Sequence, residues 1–284
     1  MTKRLGIFGF PLGHSLSPAM HGAALRLLGI DATFEAWPTP PDQLRTALKV
    51  MRQADHLGAS VTLPHKQAVI PMMDTIDEWA REIGAVNCIA NRGGKLFGFN
   101  TDAGGFIRAL REEAAFDPAG SSVVLLGAGG AARAAGFALR RAGAQRLTVA
   151  NRTMERAEAL AGDLRQGRFR PGACGIDRDS LADVVPYADL IVNATSIGMR
   201  GGPAASESPV SADLISDRAL AYDIVYAPPV TPFLREAERA GARAVGGLSM
   251  LVYQGVEAFK LWTGNDPPVD AMFEAARGAI KGSH

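Results

Sequence analysis

Leu125-Leu126-Gly127-Ala128-Gly129-Gly130-Ala131-Ala132-Arg133, followed further on by Asn151-Arg152-Thr153, is the stretch whose reading decides the fold. Val123 to Leu126 is a short β-branched and aliphatic run, the pattern of a strand buried on both faces of a parallel sheet. It stops at glycines and passes straight into the Ala-rich segment Ala131 to Ala142, which predicts a helix. Strand, glycine turn and helix start together form a phosphate cradle. Glycine lets the backbone approach a pyrophosphate, and the free N–H groups of the first helical turn hold its charge. Gly127, Ala128, Gly129, Gly130 and Ala131 are therefore the expected dinucleotide contacts.

A second strand, Arg146 to Ala150, ends where an adenosine ribose should lie, roughly 20 residues past the turn. A chain built for NAD commonly sets a carboxylate there, to accept from the ribose 2′-hydroxyl. This chain sets Asn151, Arg152, Thr153 and, one helical turn on, Arg156. Guanidinium donors match phosphate oxygens, so the pocket reads as one for NADP. The plainer alternative is a domain of the same shape without its nucleotide, in which Arg152 and Arg156 are simply solvated.

At 284 residues the chain is long enough for two domains with substantial cores. With 47% hydrophobic residues and a formal net charge of +1, it reads as globular, with no general attraction to nucleic acid or acidic membranes. No apolar run has the length of a membrane span, and the N-terminus lacks the regions of a signal peptide. Cys88 and Cys174 cannot build a disulfide framework, and no Cys/His cluster has zinc spacing, so no metal is expected. Cys88, inside the apolar run Ala85 to Ala90, is expected to be a buried thiol. A cytoplasmic location fits best, and a homodimer is left open.

Before the glycine turn, short strands alternate with helices. Arg4 to Phe10, Thr33 to Trp37 and Gly58 to Leu63 read as strands; Pro18 to Leu28 and Pro41 to Ala54 read as helices, and another is expected to begin at Pro64-His65-Lys66. Ala85 to Asn91 and Lys95 to Phe99 form a hairpin around Gly93-Gly94. The pattern is that of an α/β domain with a mostly parallel sheet. Ala103 to Ala115 is a helix leading out of it, and Asp117-Pro118-Ala119-Gly120 breaks the chain before the nucleotide strand. Leu190 to Asn193, Ala219 to Val225 and Ala242 to Val245 continue the second sheet. An amphipathic helix then runs from Met250 to Trp262. The expected organisation is a substrate-binding domain over residues 1–102 and a Rossmann-type NADP-binding domain over 103–245. Helices over 246–284 return to the first domain and leave a cleft between the two.

The first domain gathers polar residues at its strand ends. His14-Ser15-Leu16-Ser17-Pro18 sets two hydroxyls before a helix start, a suitable seat for a carboxylate, although a serine there can also merely cap the helix. In Ser60-Val61-Thr62-Leu63-Pro64-His65-Lys66, Ser60 and Thr62 share one face of a strand. Lys66 would then stand at a helix start, where a cation is unfavourable against the dipole, and that makes it a candidate for chemistry. Asn87 and Asn100-Thr101-Asp102 add hydrogen-bonding groups, with the plain alternative that Asp102 caps the helix from Ala103.

Taken together these residues resemble the shikimate dehydrogenase family over nearly the whole chain. The matching pieces are Gly9-Phe10-Pro11 with His14 to Pro18 and His21, Val61 to Lys66, Gly84-Ala85-Val86-Asn87 and Asn100-Thr101-Asp102. They continue with Gly127 to Ala131, Asn151-Arg152-Thr153, Asn193 to Met199, Tyr222-Asp223 with Tyr226, and Gly247 to Gln254. The resemblance implies reversible reduction of 3-dehydroshikimate to shikimate with NADPH, in chorismate and aromatic amino-acid biosynthesis. It implies that Ser15 and Ser17 hold the substrate carboxylate and that Lys66 and Asp102 flank the reacting oxygen. Thr62, Asn87 and Gln254 would bind ring hydroxyls, with Ser60 beside them. Tyr226 would meet the substrate from the nicotinamide side, where Gly247 and Met250 also lie, and Thr195, Ser196 and Ile224 would join the cofactor contacts.

The chemistry of the residues agrees. Reducing a ketone needs a hydride donor and a proton for the growing alkoxide, and an ammonium beside a carboxylate supplies the proton and stabilises the charge. The chain departs from the family pattern at Ser60, often asparagine, and at Phe99, where some members have aspartate. Quinate-using relatives tend to carry threonine at the second loop hydroxyl and an acidic residue at the ribose pocket. Ser17 and Asn151-Arg152 therefore favour shikimate and NADP. Two alternatives stay open: a quinate/shikimate dehydrogenase or paralogue acting on a related cyclohexene carboxylate, and a non-catalytic NADP-binding sensor, against which the presence of both Lys66 and Asp102 argues.

Overall fold

A computed structural model describes residues 2–13 and 15–282; His14, expected in the serine loop, lies outside the described residues. The chain divides into two compact units, residues 1–105 with 252–284, and residues 106–251. In chain order the elements are β1 (Lys3–Gly9), α1 (Ser17–Leu27), β2 (Ala32–Pro38), α2 (Leu44–Val50), β3 (His56–Val61), β4 (Thr75–Ile76) and α3 (Glu78–Ile83). Next come β5 (Cys88–Arg92), β6 (Lys95–Phe99), α4 (Asp102–Glu112), β7 (Ser122–Leu126), α5 (Gly130–Arg141), β8 (Arg146–Ala150) and α6 (Met154–Asp163). The chain ends with β9 (Gly172–Cys174), α7 (Arg178–Ala182), β10 (Leu190–Asn193), β11 (Leu220–Asp223), α8 (Pro232–Arg239), β12 (Arg243–Gly246), α9 (Leu248–Thr263) and α10 (Val269–Lys281).

The first unit holds a mixed six-stranded sheet in the order β2-β1-β3-β5-β6-β4. β1 pairs parallel with β2 and β3, whereas β5 runs antiparallel to both β3 and β6. This reversal has a consequence for the polar residues. The carboxyl ends of β1, β3 and β6 and the amino end of β5 all fall on one edge of the sheet. The ladder is prolonged there by Val61 N–H to Asn87 C=O at 2.7 Å and Asn87 N–H to Phe99 C=O at 3.0 Å. Residues far apart in sequence therefore leave the sheet side by side. On the core side, α9 is pinned by the Trp262 indole N–H donating to Ile89 C=O at 2.9 Å.

No helix begins at Pro64. The segment after β3 is a series of turns that reaches a short 3₁₀ turn at Ile70–Met72. The Lys66 carbonyl, which a helix would need, accepts instead from Val86 N–H at 2.8 Å, and Pro71 has no N–H to continue a ladder. Lys66 is thus tied by its backbone to the segment leading into β5, not set at a helix start.

The second unit is an all-parallel sheet in the order β12-β11-β10-β7-β8-β9. Its register aligns Gly246, Asp223, Asn193, Leu126, Ala150 and Cys174 in one row across the carboxyl ends. The residue that follows each of the first five positions in that row is therefore Gly247, Ile224, Ala194, Gly127 or Asn151. The chain runs outward from β7 in both directions, so the topological switch point lies between β7 and β10.

Candidate active site

On the polar edge of the first unit, four buried side chains and one half-buried lysine make a single network. Lys66 Nζ donates to Asp102 Oδ2 at 2.6 Å, and the lysine side chain keeps 14% exposure, so it is not sealed from solvent. Asn87 Nδ2 donates to Asp102 Oδ1 at 2.8 Å and to Thr101 Oγ1 at 3.0 Å, with Gln254 Oε1 at 3.4 Å. Asn87 Oδ1 in turn accepts from Thr101 N–H at 2.7 Å. Asp102 is the first residue of α4, yet it does not cap that helix. The Ala103 N–H goes to Asn100 Oδ1 at 3.3 Å, and Asn100 Nδ2 donates to Ala85 C=O at 2.9 Å. Relieved of capping, the Asp102 carboxylate is free to face Lys66.

Thr62 follows β3 on the same edge, and its carbonyl accepts from His65 N–H at 2.9 Å. His65 Nε2 is bonded to Thr39 C=O at 2.7 Å, which fixes the turn that presents Lys66. Ser15 Oγ accepts from Ser17 N–H at 3.3 Å; α1 has no side-chain cap, so neither serine serves as its N-cap. Ser60 stands apart. Its hydroxyl is buried without a partner among the described residues, one position before the strand end.

The second unit carries the glycine turn. Gly127 has φ +107°, and a Cβ there would come within 2.9 Å of the Ala194 carbonyl oxygen, so only glycine passes. Gly129 is the N-cap of α5 with no side-chain cap and with open space around it. The first-turn N–H groups are thus available to an anion. Beyond β8, Asn151 Nδ2 donates to Thr153 C=O at 2.9 Å, closing the turn into α6. Arg152 and Arg156 are both exposed, and among the described residues neither guanidinium has a hydrogen bond or ion pair, Arg156 bonding only through its backbone N–H to Thr153 C=O at 3.1 Å. An ungated backbone cradle, uncapped N–H groups and two unpaired guanidiniums fit a dinucleotide bearing a 2′-phosphate.

Across the switch point, Thr195 N–H and Oγ1 donate to Asn193 Oδ1 at 3.1 and 2.7 Å, while Ser196 is exposed. A Cβ on Gly247 would overlap the Ile224 carbonyl, so these two expected cofactor residues are in backbone contact. Met250 is buried in the first turn of α9. Tyr226 is half-buried, and burial raises its phenol pKa. No role follows from sequence for Asn193, Asp223 and Thr231, although the structure joins them below these loops. The signal was a carboxylate closing an otherwise apolar strand, Leu220-Ala221-Tyr222-Asp223. Burial pushes the Asp223 carboxyl up to about 6 against three hydrogen-bond donors that oppose the shift.

The described residues contain no group of His, Cys, Asp and Glu able to hold a metal, and no helix long and apolar enough to cross a membrane. Cys88 and Cys174 are free thiols.

Comparison with known proteins bears on the same residues. The profile of the shikimate dehydrogenase substrate binding domain matches residues 7–89, that of shikimate/quinate 5-dehydrogenase residues 110–210, and that of the shikimate 5′-dehydrogenase C-terminal domain residues 247–277. A shikimate dehydrogenase (NADP(+)) from Methanopyrus kandleri is 47% identical over 276 residues, 96% of this chain and 94% of the other. The chain belongs to the shikimate dehydrogenase family. Among solved members, a shikimate dehydrogenase in complex with NADP+ superposes with a TM-score of 0.91 at 37% identity, covering 98% of this chain and 96% of that one. The shikimate 5-dehydrogenase of Thermus thermophilus, solved with NADP(H) and shikimate, gives 0.86 at 44% identity and covers 98% and 99%. The two-sheet architecture is that of the shikimate dehydrogenase structures, with a mixed N-terminal sheet and an all-parallel Rossmann-like sheet.

Proposed function

We propose that this protein is an NADP-dependent shikimate dehydrogenase, interconverting 3-dehydroshikimate and shikimate on the route to chorismate and the aromatic amino acids. The observation that carries this reading is the 2.6 Å contact of Lys66 with Asp102 inside a network of otherwise neutral hydrogen-bonding groups. When bound, NADPH supplies a hydride to the carbonyl carbon. The chain's own task is the negative charge that then grows on the carbonyl oxygen. Lys66 is an ammonium with three N–H donors, of which Asp102 engages one, so donors remain for that oxygen together with the proton that neutralises it. In the reverse direction the lysine takes the proton back, and the carboxylate beside it stabilises the ammonium so formed. Asn87 grips the far oxygen of Asp102 and keeps the carboxylate turned toward Lys66.

Around this pair, Thr62, Asn87 and Gln254 bind ring hydroxyls, Ser15 and Ser17 bind the substrate carboxylate, and Ser60 joins them; Tyr226, carried by the second unit, is also assigned to the substrate. In the second unit Gly127 to Ala131 receive the pyrophosphate, and Asn151, Arg152, Thr153 and Arg156 the phosphorylated ribose. Thr195, Ser196, Ile224, Gly247 and Met250 hold the nicotinamide half. We place the reaction in the cytoplasm, where the two free thiols stay reduced. Sedimentation at working concentration distinguishes a monomer from a homodimer. The decisive assay pairs shikimate or quinate with NADP+ or NAD+. Shikimate with NADP+ is expected to give the highest kcat/KM of the four, and a higher value with quinate or NAD+ overturns the reading.

A further inference from the structure

We propose that the buried carboxylate of Asp223 is the positioning residue for the nicotinamide half of the dinucleotide site, holding the loop after β10 and the loop after β11 in one pose. The inference rests on the NADP-dependent reading above. Asp223 ends β11 directly opposite Asn193 on β10, and Asp223, Asn193 and Thr231 are all fully buried. Asp223 Oδ1 accepts from Val225 N–H at 2.9 Å and from Asn193 Nδ2 at 3.0 Å; Oδ2 accepts from the Thr231 hydroxyl at 2.6 Å.

Each partner hands the constraint on. The Asn193 side chain accepts from both the N–H and the hydroxyl of Thr195 and donates to Ile197 C=O at 3.2 Å, while Ile197 N–H donates to Thr195 Oγ1 at 3.1 Å. The loop from Ala194 to Ile197 is thus folded onto one amide group. Thr231 is the N-cap of α8 and accepts from Leu234 N–H at 3.3 Å while donating to Asp223. The segment that carries Ile224 and Tyr226 is therefore pinned at Val225 and again at Thr231 by a single carboxylate. A buried carboxylate is unfavourable without such partners, and an apolar residue of the same size would fill the space but release both loops.

The sheet topology says which half of the cofactor these loops serve. In an open doubly wound sheet the two halves of a dinucleotide lie on opposite sides of the switch point, beyond the carboxyl ends of the strands. The side of β8 carries Arg152 and Arg156 and takes the adenosine. The side of β10 and β11 remains for the nicotinamide.

The test compares NADP+ with adenosine 2′,5′-bisphosphate, which presents the adenosine half alone. KM for NADP+ at saturating shikimate and the inhibition constant of the fragment are measured for the wild-type protein, Asp223→Ala, Asp223→Asn and Thr231→Val. Asp223→Ala is expected to raise KM for NADP+ about tenfold or more while the fragment constant stays within about twofold. Asp223→Asn should recover most of the affinity, because its amide oxygen can accept from Val225 and Asn193 and its NH₂ can donate to Thr231. Thr231→Val, which loses one of the three bonds, should fall between. An unmoved KM in Asp223→Ala, or equal weakening of NADP+ and the fragment, overturns the proposal, the latter being the mark of a general structural role. If Asp223→Ala does not fold, Thr231→Val decides by the same two constants. Wild-type protein inactive with shikimate and NADP+ would sink the functional reading itself, whereas active wild type with unmoved variants sinks only the role of Asp223.

Discussion

Two aspartates, one in each unit, are both buried at the carboxyl edge of a sheet, and their surroundings differ in one respect. Asp102 faces an ammonium and an amide; Asp223 faces an amide, a backbone N–H and a hydroxyl, with no cation among its partners. Burial drives the Asp223 carboxyl up to about 6. A carboxylate beside a cation that can give up a proton belongs to proton chemistry, while one held only by neutral donors can do no more than fix geometry. Residue type and burial are the same in both cases. The donors decide the role.

The sharpest way to break this contrast is to remove the cation. Lys66→Ala is expected to lower kcat by about a hundred- to ten-thousandfold, the range for losing a general acid, with a smaller change in KM for shikimate. Asp102→Ala should damage both constants, and the double variant should be little worse in kcat than Lys66→Ala alone, because the two act as one unit. Additive losses of activation energy would show independent roles, and near-normal turnover in Lys66→Ala would take the lysine out of the mechanism.

The next effect lies where an unpaired cation waits for a ligand. Arg152→Ala should weaken NADP+ about tenfold or more and leave NAD+ nearly unchanged, since only NADP+ offers the 2′-phosphate. Equal losses in a binding titration would mean that Arg152 acts elsewhere.

A buried titratable group held only by ring contacts among the described residues extends the comparison. His21 lies between Phe34, Phe259 and Trp262, at ring-centroid distances of 4.5, 6.2 and 5.2 Å, and neither ring nitrogen has a partner among the described residues. Burial lowers its pKa from 6.5 to about 3. Between those values the unfolded chain binds the proton and the folded one does not. Stability is therefore unaffected by this group above about pH 6.5 and is lost as pH falls from there toward 3, by at most about 1.4 kcal/mol per pH unit. His21→Phe should flatten that acid limb in chemical denaturation. An identical slope in the variant would mean that His21 takes up its proton without unfolding.

The smallest effect is expected at an ion pair open to water. Arg4 and Glu35 meet at 2.7 Å, but their side chains are 40% and 38% exposed, and solvent screens the pair. Arg4→Ala should cost less than about 1 kcal/mol and leave kcat/KM unchanged. A larger loss in thermal unfolding would show that this edge of the sheet is held by more than its visible contacts.

Much of this was legible in the chain because it is local. The strand ending at Leu126, the glycine turn and the helix after it follow from neighbouring residues, and so does the hairpin of β5 and β6 about Gly93-Gly94. β4 and β9, of two and three residues, are too short to leave a periodic signal, and they exist only because an edge strand is there to pair with them. The helix expected from Pro64 fails for a reason no local rule contains: Val86, a strand away, takes the Lys66 carbonyl. Ser60 and Thr62 share an alternating pattern, yet one hydroxyl is buried with no partner among the described residues and the other follows the strand end.

By itself the sequence determined the residue types of the chemistry and the places where the chain must turn: a lysine and a carboxylate, serines before a helix, arginines past a strand, a glycine where φ reaches +107°. Those are properties of side chains and of backbone angles, which act over a few residues. Tertiary structure alone decided that Asn87, Asp102 and Gln254 share one network, that Asp102 faces Lys66 instead of capping α4, and that Asn193, Asp223 and Thr231 close on one another. These meetings depend on strand order, direction and register. They are settled by pairing between segments tens of residues apart, where burying a polar group is tolerated only if the fold brings its partner to it.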